Sequence, residues 1–159
     1  MSINKTKNLK LHTWLESEVV DFEEVNENFT KIDTLPFCIE SGTKTSSYTG
    51  GSSAIATWRY KKYSDSTVDM STVLYFDNLK CNEGTEAPYY SGVSKVDFPF
   101  NLKAVYDVQM HLASNTIGWV ADITNRTVTD SVSFRVASVS VEKDLMHKQI
   151  FINVKGALA

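Results

Sequence analysis

With 159 residues, 42% of them apolar, the chain is long enough for one domain with a proper core and a short appendage. Its 19 acids against 16 Lys and Arg give a net charge of −3, which argues against the basic footprint of a nucleic-acid binder, and no run of about 18 apolar residues offers a membrane-spanning helix. The opening MSINKTKNLKLHTW has no apolar run of secretory type, so the expectation is a chain made in the cytoplasm with Cys38 and Cys81 left unpaired.

Residues 1–15 form a polar arm carrying Lys5, Lys7 and Lys10 and no acid. The next stretch, WLESEVVDFEEVNENFTKID, reverses the charge, with seven acids between Glu16 and Asp33 against the single Lys31. Phe22, Val25, Phe29 and Ile32 recur in steps of three and four, which puts them on one stripe of a helix over 21–32. Glu23, Glu24, Asn26, Glu27, Asn28 and Lys31 take the remaining circumference. Asp21 is placed to cap the start, with Glu24 completing a capping box and Val20 stapling to Val25. Three turns are too short to stand alone in water. The stripe must therefore lean on its own domain, on sister chains or on a docking partner, and its heptad spacing fits an oligomer seam.

Pro36 stops the helix, and residues 41–53, SGTKTSSYTGGSS, read as a Ser/Thr/Gly-rich connector. The expected division is thus an arm and attachment helix over 1–40, a connector over 41–53 and a β-domain over 54–159. In that domain 54–60 alternates, with Ala54, Ala56, Trp58 and Tyr60 on one face. A second run covers 72–76. Tyr106, Val108, Met110 and Leu112 face inward along 105–113, opposed by Asp107, Gln109 and His111. Strands follow at 118–123, at 127–141 with Val132, Phe134 and Val136 inward, and at 149–154, with a turn at Asn125-Arg126. Short strands separated by polar turns predict a mainly β fold, an antiparallel β-sandwich or jelly-roll, preceded by one short α-helix.

The motifs of enzyme chemistry are missing. His12, His111 and His147 lack metal-ligand spacing, and no GxSxG or phosphate-cradling glycine loop is present. Asp65 and Asp69 are a carboxylate pair of the kind a glycosidase uses, but in a DSTVD loop solvated acids are the ordinary case. WRYKKY interleaves rings and bases, yet on a strand Trp58 and Tyr60 point one way and Arg59 and Lys61 the other. The reading is therefore no catalytic residue, no metal, no cofactor and no nucleic acid. Recognition surfaces remain: Tyr89 and Tyr90 in the loop PYYSG, and Trp119 at a strand start, as contacts for a sugar ring or a partner surface.

LKLHTWLESEVVDFEEVNENFTKID resembles the N-terminal attachment segments of tail fibre and baseplate-associated proteins from phages and prophages of Gram-positive, clostridia-like bacteria, where a Trp precedes a DxExxNxNFxKID helix. ATWRYKKYSDSTVDM and YYSGVSKVDFPFNLKAVYDVQMHL are similar to the WxYxKxSDG and FPFxFxxxP strands of the distal domain of such fibres. Ser66 stands where the family has Gly, Val105-Tyr106 where it tends to have Pro, and the repetitive shaft is missing. The resemblance implies a virion structural protein, a short tail fibre or receptor-binding protein that trimerises, docks to other virion proteins through its helix and meets a host cell-wall glycan with its β-domain. The alternative is a purely architectural baseplate, collar or capsid decoration protein that binds no receptor.

Overall fold

The computed structural model describes residues 4–5, 12–13, 22–33, 35–50, 55–77, 79–114, 117–124, 129–142 and 147–159. Two compact units divide the chain, Met1–Phe37 and Cys38–Ala159. The first holds a two-stranded antiparallel ribbon, β1 (Asn4–Lys5) and β2 (His12–Thr13), and the helix α1 (Phe22–Asp33). Asp21 and Val20, the expected cap and staple, lie outside the described residues. The apolar stripe faces outward in the single chain: Phe22 is 82% exposed, Phe29 61% and Ile32 46%. Glu24, expected on the solvent side, is instead buried, and Val25, Asn28 and Lys31 beside it are half-buried. Residues 24, 28 and 31 share a face at steps of four and three, and that polar face is the less exposed one, while Glu23, Asn26 and Glu27 are exposed along with Phe22, Phe29 and Ile32.

The second unit is mainly β and antiparallel. Its strands are β3 (Cys38–Thr49), β4 (Ile55–Tyr63), β5 (Thr67–Phe76), β6 (Tyr89–Tyr90), β7 (Ser94–Asp97), β8 (Leu102–Ser114), β9 (Gly118–Thr124), β10 (Ser131–Ser138) and β11 (Lys148–Leu158). They form one sheet in the order β6-β10-β7-β3-β4-β5-β11-β8, with β9 also on β10. The segment expected as a connector is strand as far as Thr49, and the unit boundary falls between Phe37 and Cys38. Backbone pairing overrides the poor strand preference of Gly, and the β-branched Thr43, Thr45 and Thr49 suit a strand. Residues 38–47 of β3 pair with β4, and Tyr48 and Thr49 pass on to β7, so β3 joins the two halves of the sandwich.

That handover curls the sheet over one core. Trp58 meets Phe98 edge-on at 6.0 Å between ring centroids, Phe76 meets Tyr48 at 5.8 Å, and Phe76 meets Phe134 at 6.3 Å. The inward parity expected for Ala56 and Trp58, and for Val132, Phe134 and Val136, is what the strands adopt. β8 breaks its pattern. Gly156 of β11 pairs with Val105 and Lys155 with Asp107, so Tyr106 is an extra residue in a bulge, exposed rather than inward. Gly156 permits the close approach, since a Cβ there would lie 2.6 Å from the Ala104 carbonyl oxygen.

One end of the core is polar. Lys148 begins β11 on the same face as Ile150, Ile152 and Val154, and its Nζ donates to Glu142 Oε2 at 2.6 Å and to the Leu79 carbonyl at 2.7 Å. Both side chains are 1% exposed. Glu142 Oε2 also accepts the Cys81 N–H at 2.9 Å, which ties the segment after β5 to the start of β11. Burial, and then the Glu142 charge, push the Cys81 thiol up to about 11, while Cys38 is exposed; both thiols are free.

Candidate functional site

Alternation along β4, β5, β11 and β8 sends every second side chain out of the sandwich. Register then assembles those side chains into rows across the strands. Arg59 pairs with Ser71, Ser71 with Asn153, and Asn153 with Gln109, so a guanidinium, a hydroxyl and two amides stand side by side. The neighbouring row is charged and alternates in sign: Lys61 opposite Asp69, Asp69 opposite Lys155, and Lys155 opposite Asp107. The two rows floor an open cleft of about 500 Å³. A second cleft, of about 550 Å³, shares Arg59, Ser71 and Asn153 with the first and adds Thr43, Thr57, Tyr75 and Phe151.

Both carboxylates of the charged row have a neutral donor. Tyr63 Oη donates to Asp69 Oδ2 at 3.0 Å, and Gln109 Nε2 to Asp107 Oδ2 at 2.8 Å. The bond to Asp69 raises the Tyr63 hydroxyl above the usual phenol range, because ionising it would put two negative charges together. Among the described residues Arg59, Lys61 and Lys155 have no carboxylate at ion-pair distance. The surface offers hydroxyl and amide partners, one net positive charge and two ring faces. No group of three or more His, Cys, Asp or Glu side chains converges to hold a metal ion among the described residues.

The recognition residues read from the sequence lie on the other half. Tyr90 and Trp119 pair with Ala137 from opposite sides, which puts all three in one cross-strand row. Tyr89 packs against the core instead, and the stretch expected as a loop is the short strand β6, so the two tyrosines are half-buried and divided between faces. Trp119 is 44% exposed. Asp65 turns back on its own loop, accepting the Thr67 N–H at 2.9 Å and the Thr67 hydroxyl at 2.6 Å, and these donors lower its pKa. The cleft was missed by sequence reasoning, although the outward parity of Arg59, Asp107 and Gln109 is readable; what gathers them is strand order.

No protein-family model matches the chain, and no curated protein or solved structure matches it either.

Proposed function

We propose that this chain is a phage virion structural protein, a short tail fibre or receptor-binding protein that attaches the particle to the host cell surface. The observation that carries the reading is the division of labour between the two units. One leaves Phe22, Phe29 and Ile32 of the helix stripe exposed, and the other presents an open polar cleft on its sheet. In this reading Phe22, Val25, Phe29 and Ile32 meet sister helices and other virion proteins, and three chains associate. The resemblance of the helix and of the β4 and β8 segments to tail fibre proteins supports the same assignment.

The test is incorporation and adsorption. Phe29→Asp puts a charge where the seam would exclude water, so particles assembled with it should lack the protein and adsorb poorly to cells. Light scattering on the full chain should give three times the chain mass, and on Phe29→Asp a lower value. A monomeric wild type at micromolar concentration, or a Phe29→Asp protein that enters particles normally, sinks the role given to the helix.

One observation favours the architectural alternative. Ile117, Trp119 and Val139 are exposed at the β9–β10 end, and Val139 N–H donates to the Ile117 carbonyl, so they form an apolar rim suited to a neighbouring virion protein. Normal adsorption by particles stripped of the protein would select that reading.

A further inference from the structure

We infer that the outer face of β4, β5, β11 and β8 is a binding site for an acidic saccharide, with Arg59 holding the anionic group and Asn153 and Gln109 the hydroxyls. The inference rests on the attachment reading only for its biological setting. Its grounds are the geometry of the face.

Strand spacing sets the first requirement. Side chains on adjacent strands stand about 4.8 Å apart, close to the length of one pyranose unit, so the row Arg59, Ser71, Asn153, Gln109 repeats polar groups at the step of a glycan chain. An amide offers both donor and acceptor, and two amides on adjacent strands can satisfy vicinal hydroxyls, which do the same. Apolar peptides have no use for such a floor.

Charge sets the second. The carboxylates on the face are already engaged by Tyr63 and Gln109, whereas Arg59, central to both clefts, has no carboxylate partner among the described residues. A guanidinium presents a planar fork that matches a carboxylate or a phosphate ester, and Lys61 and Lys155 add positive charge beside it. Three cations against the two carboxylates Asp69 and Asp107 leave this face one net positive charge on a chain that is negative overall. The rings come third. Phe151 and Tyr75 line the second cleft and are exposed, which gives a sugar's apolar face a surface to cover.

The experiment is a printed array of neutral, uronic-acid and phosphorylated oligosaccharides probed with the full chain, followed by calorimetry on the saccharides that bind. Acidic members should be retained and their neutral counterparts bound more weakly. Arg59→Gln should weaken the acidic ligand about tenfold or more, as loss of a charge-assisted hydrogen bond does. Asn153→Ala should weaken acidic and neutral forms alike, and Arg135→Gln, on the other half, should change nothing. Circular dichroism of each variant monitors folding, and Lys155→Gln serves if Arg59→Gln does not fold. Binding that ignores Arg59 and Asn153, binding of neutral sugars alone, or no binding of any array member overturns the inference.

Particles separate this outcome from that of the attachment reading. Protein-dependent adsorption that survives Arg59→Gln sinks the cleft and leaves attachment standing. Acidic-saccharide binding by the purified chain, together with normal adsorption of particles lacking it, does the reverse.

Discussion

Lysine meets glutamate at two extremes of solvent in this molecule. Lys148 and Glu142 are 1% exposed and 2.6 Å apart, while Lys62 and Glu40 lie on the surface at 2.9 Å, with side chains 20% and 49% exposed. The chemical groups are the same and their obligations differ. A buried charge cannot lose its partner without stranding the other, whereas a surface charge has water to fall back on. The difference explains how the cleft can hold Arg59, Lys61 and Lys155 with no carboxylate at ion-pair distance among the described residues: exposed cations cost little to keep open for a ligand.

The largest expected effect is at the buried pair. Lys148→Met fills a similar volume but leaves Glu142 buried without its cation, and should lower stability by about 3–5 kcal/mol in urea unfolding. Adding Glu142→Gln to the same chain should restore much of the loss, because the neutral amide can still accept the Cys81 N–H. A single variant that loses less than about 1 kcal/mol would show that water reaches this end of the core.

How much of this was legible follows parity. Lys148 stands two residues before Ile150 in the alternation Ile150, Ile152, Val154, but the strand read from the sequence begins at Gln149, so a charged residue on the core face was not anticipated there. The same parity found Trp58 and the inner face of β10. It failed at Tyr106, because a bulge shifts the alternation without a mark in residue type. It failed too at β3, where Ser, Thr and Gly read as linker and the strand is held by pairing on both sides. The cleft needed strand order, which connects residues from 59 to 153 and leaves no local signature.

The next effect is alkaline and belongs to the same buried network. Cys81 holds its proton to about 11 when folded, against an ordinary value of 9.0. The folded state therefore binds that proton more tightly, so the contribution is intact below pH 9 and is lost as pH rises toward 11. Tyr60 and Tyr63 are raised as well and add to the slope, so the comparison is with Cys81→Ala, whose stability should fall less steeply over that window. Native protein should show one fast thiol, Cys38, to a disulfide reagent at pH 8, and a second only on unfolding.

A smaller change tests the surface itself. Ser66 closes the β4–β5 hairpin with φ at 63°, its N–H donating to the Tyr63 carbonyl at 3.0 Å. Glycine takes that conformation without the Cβ clash, so Ser66→Gly should stabilise the chain by about 0.5–1 kcal/mol. Loss of stability in thermal unfolding would mean that the Ser66 side chain has a role the turn geometry does not require.

The smallest effect is expected at the exposed pair, and it closes the contrast with Lys148. Glu40 accepts the Tyr60 hydroxyl at 2.6 Å and Lys62 Nζ at 2.9 Å, and those two donors, the hydroxyl first, hold its carboxyl below the usual range. What the lowered value contributes is present above the ordinary carboxylate pKa and fades as pH falls through the folded one. Glu40→Gln keeps an acceptor for Tyr60 and removes the charge. Lys62 retains the face of Phe100, 4.6 Å from the ring centroid, so its stem and ammonium keep their packing. The thermal midpoint at pH 7 should therefore fall only slightly, and less in high salt than in low, while at acid pH the variant and the wild type converge, so the acid limb flattens by the same small amount. A drop as large as that of Lys148→Met would mean that burial is not what separates the two pairs, and the argument that the cleft's cations stand open at little cost would fall with it.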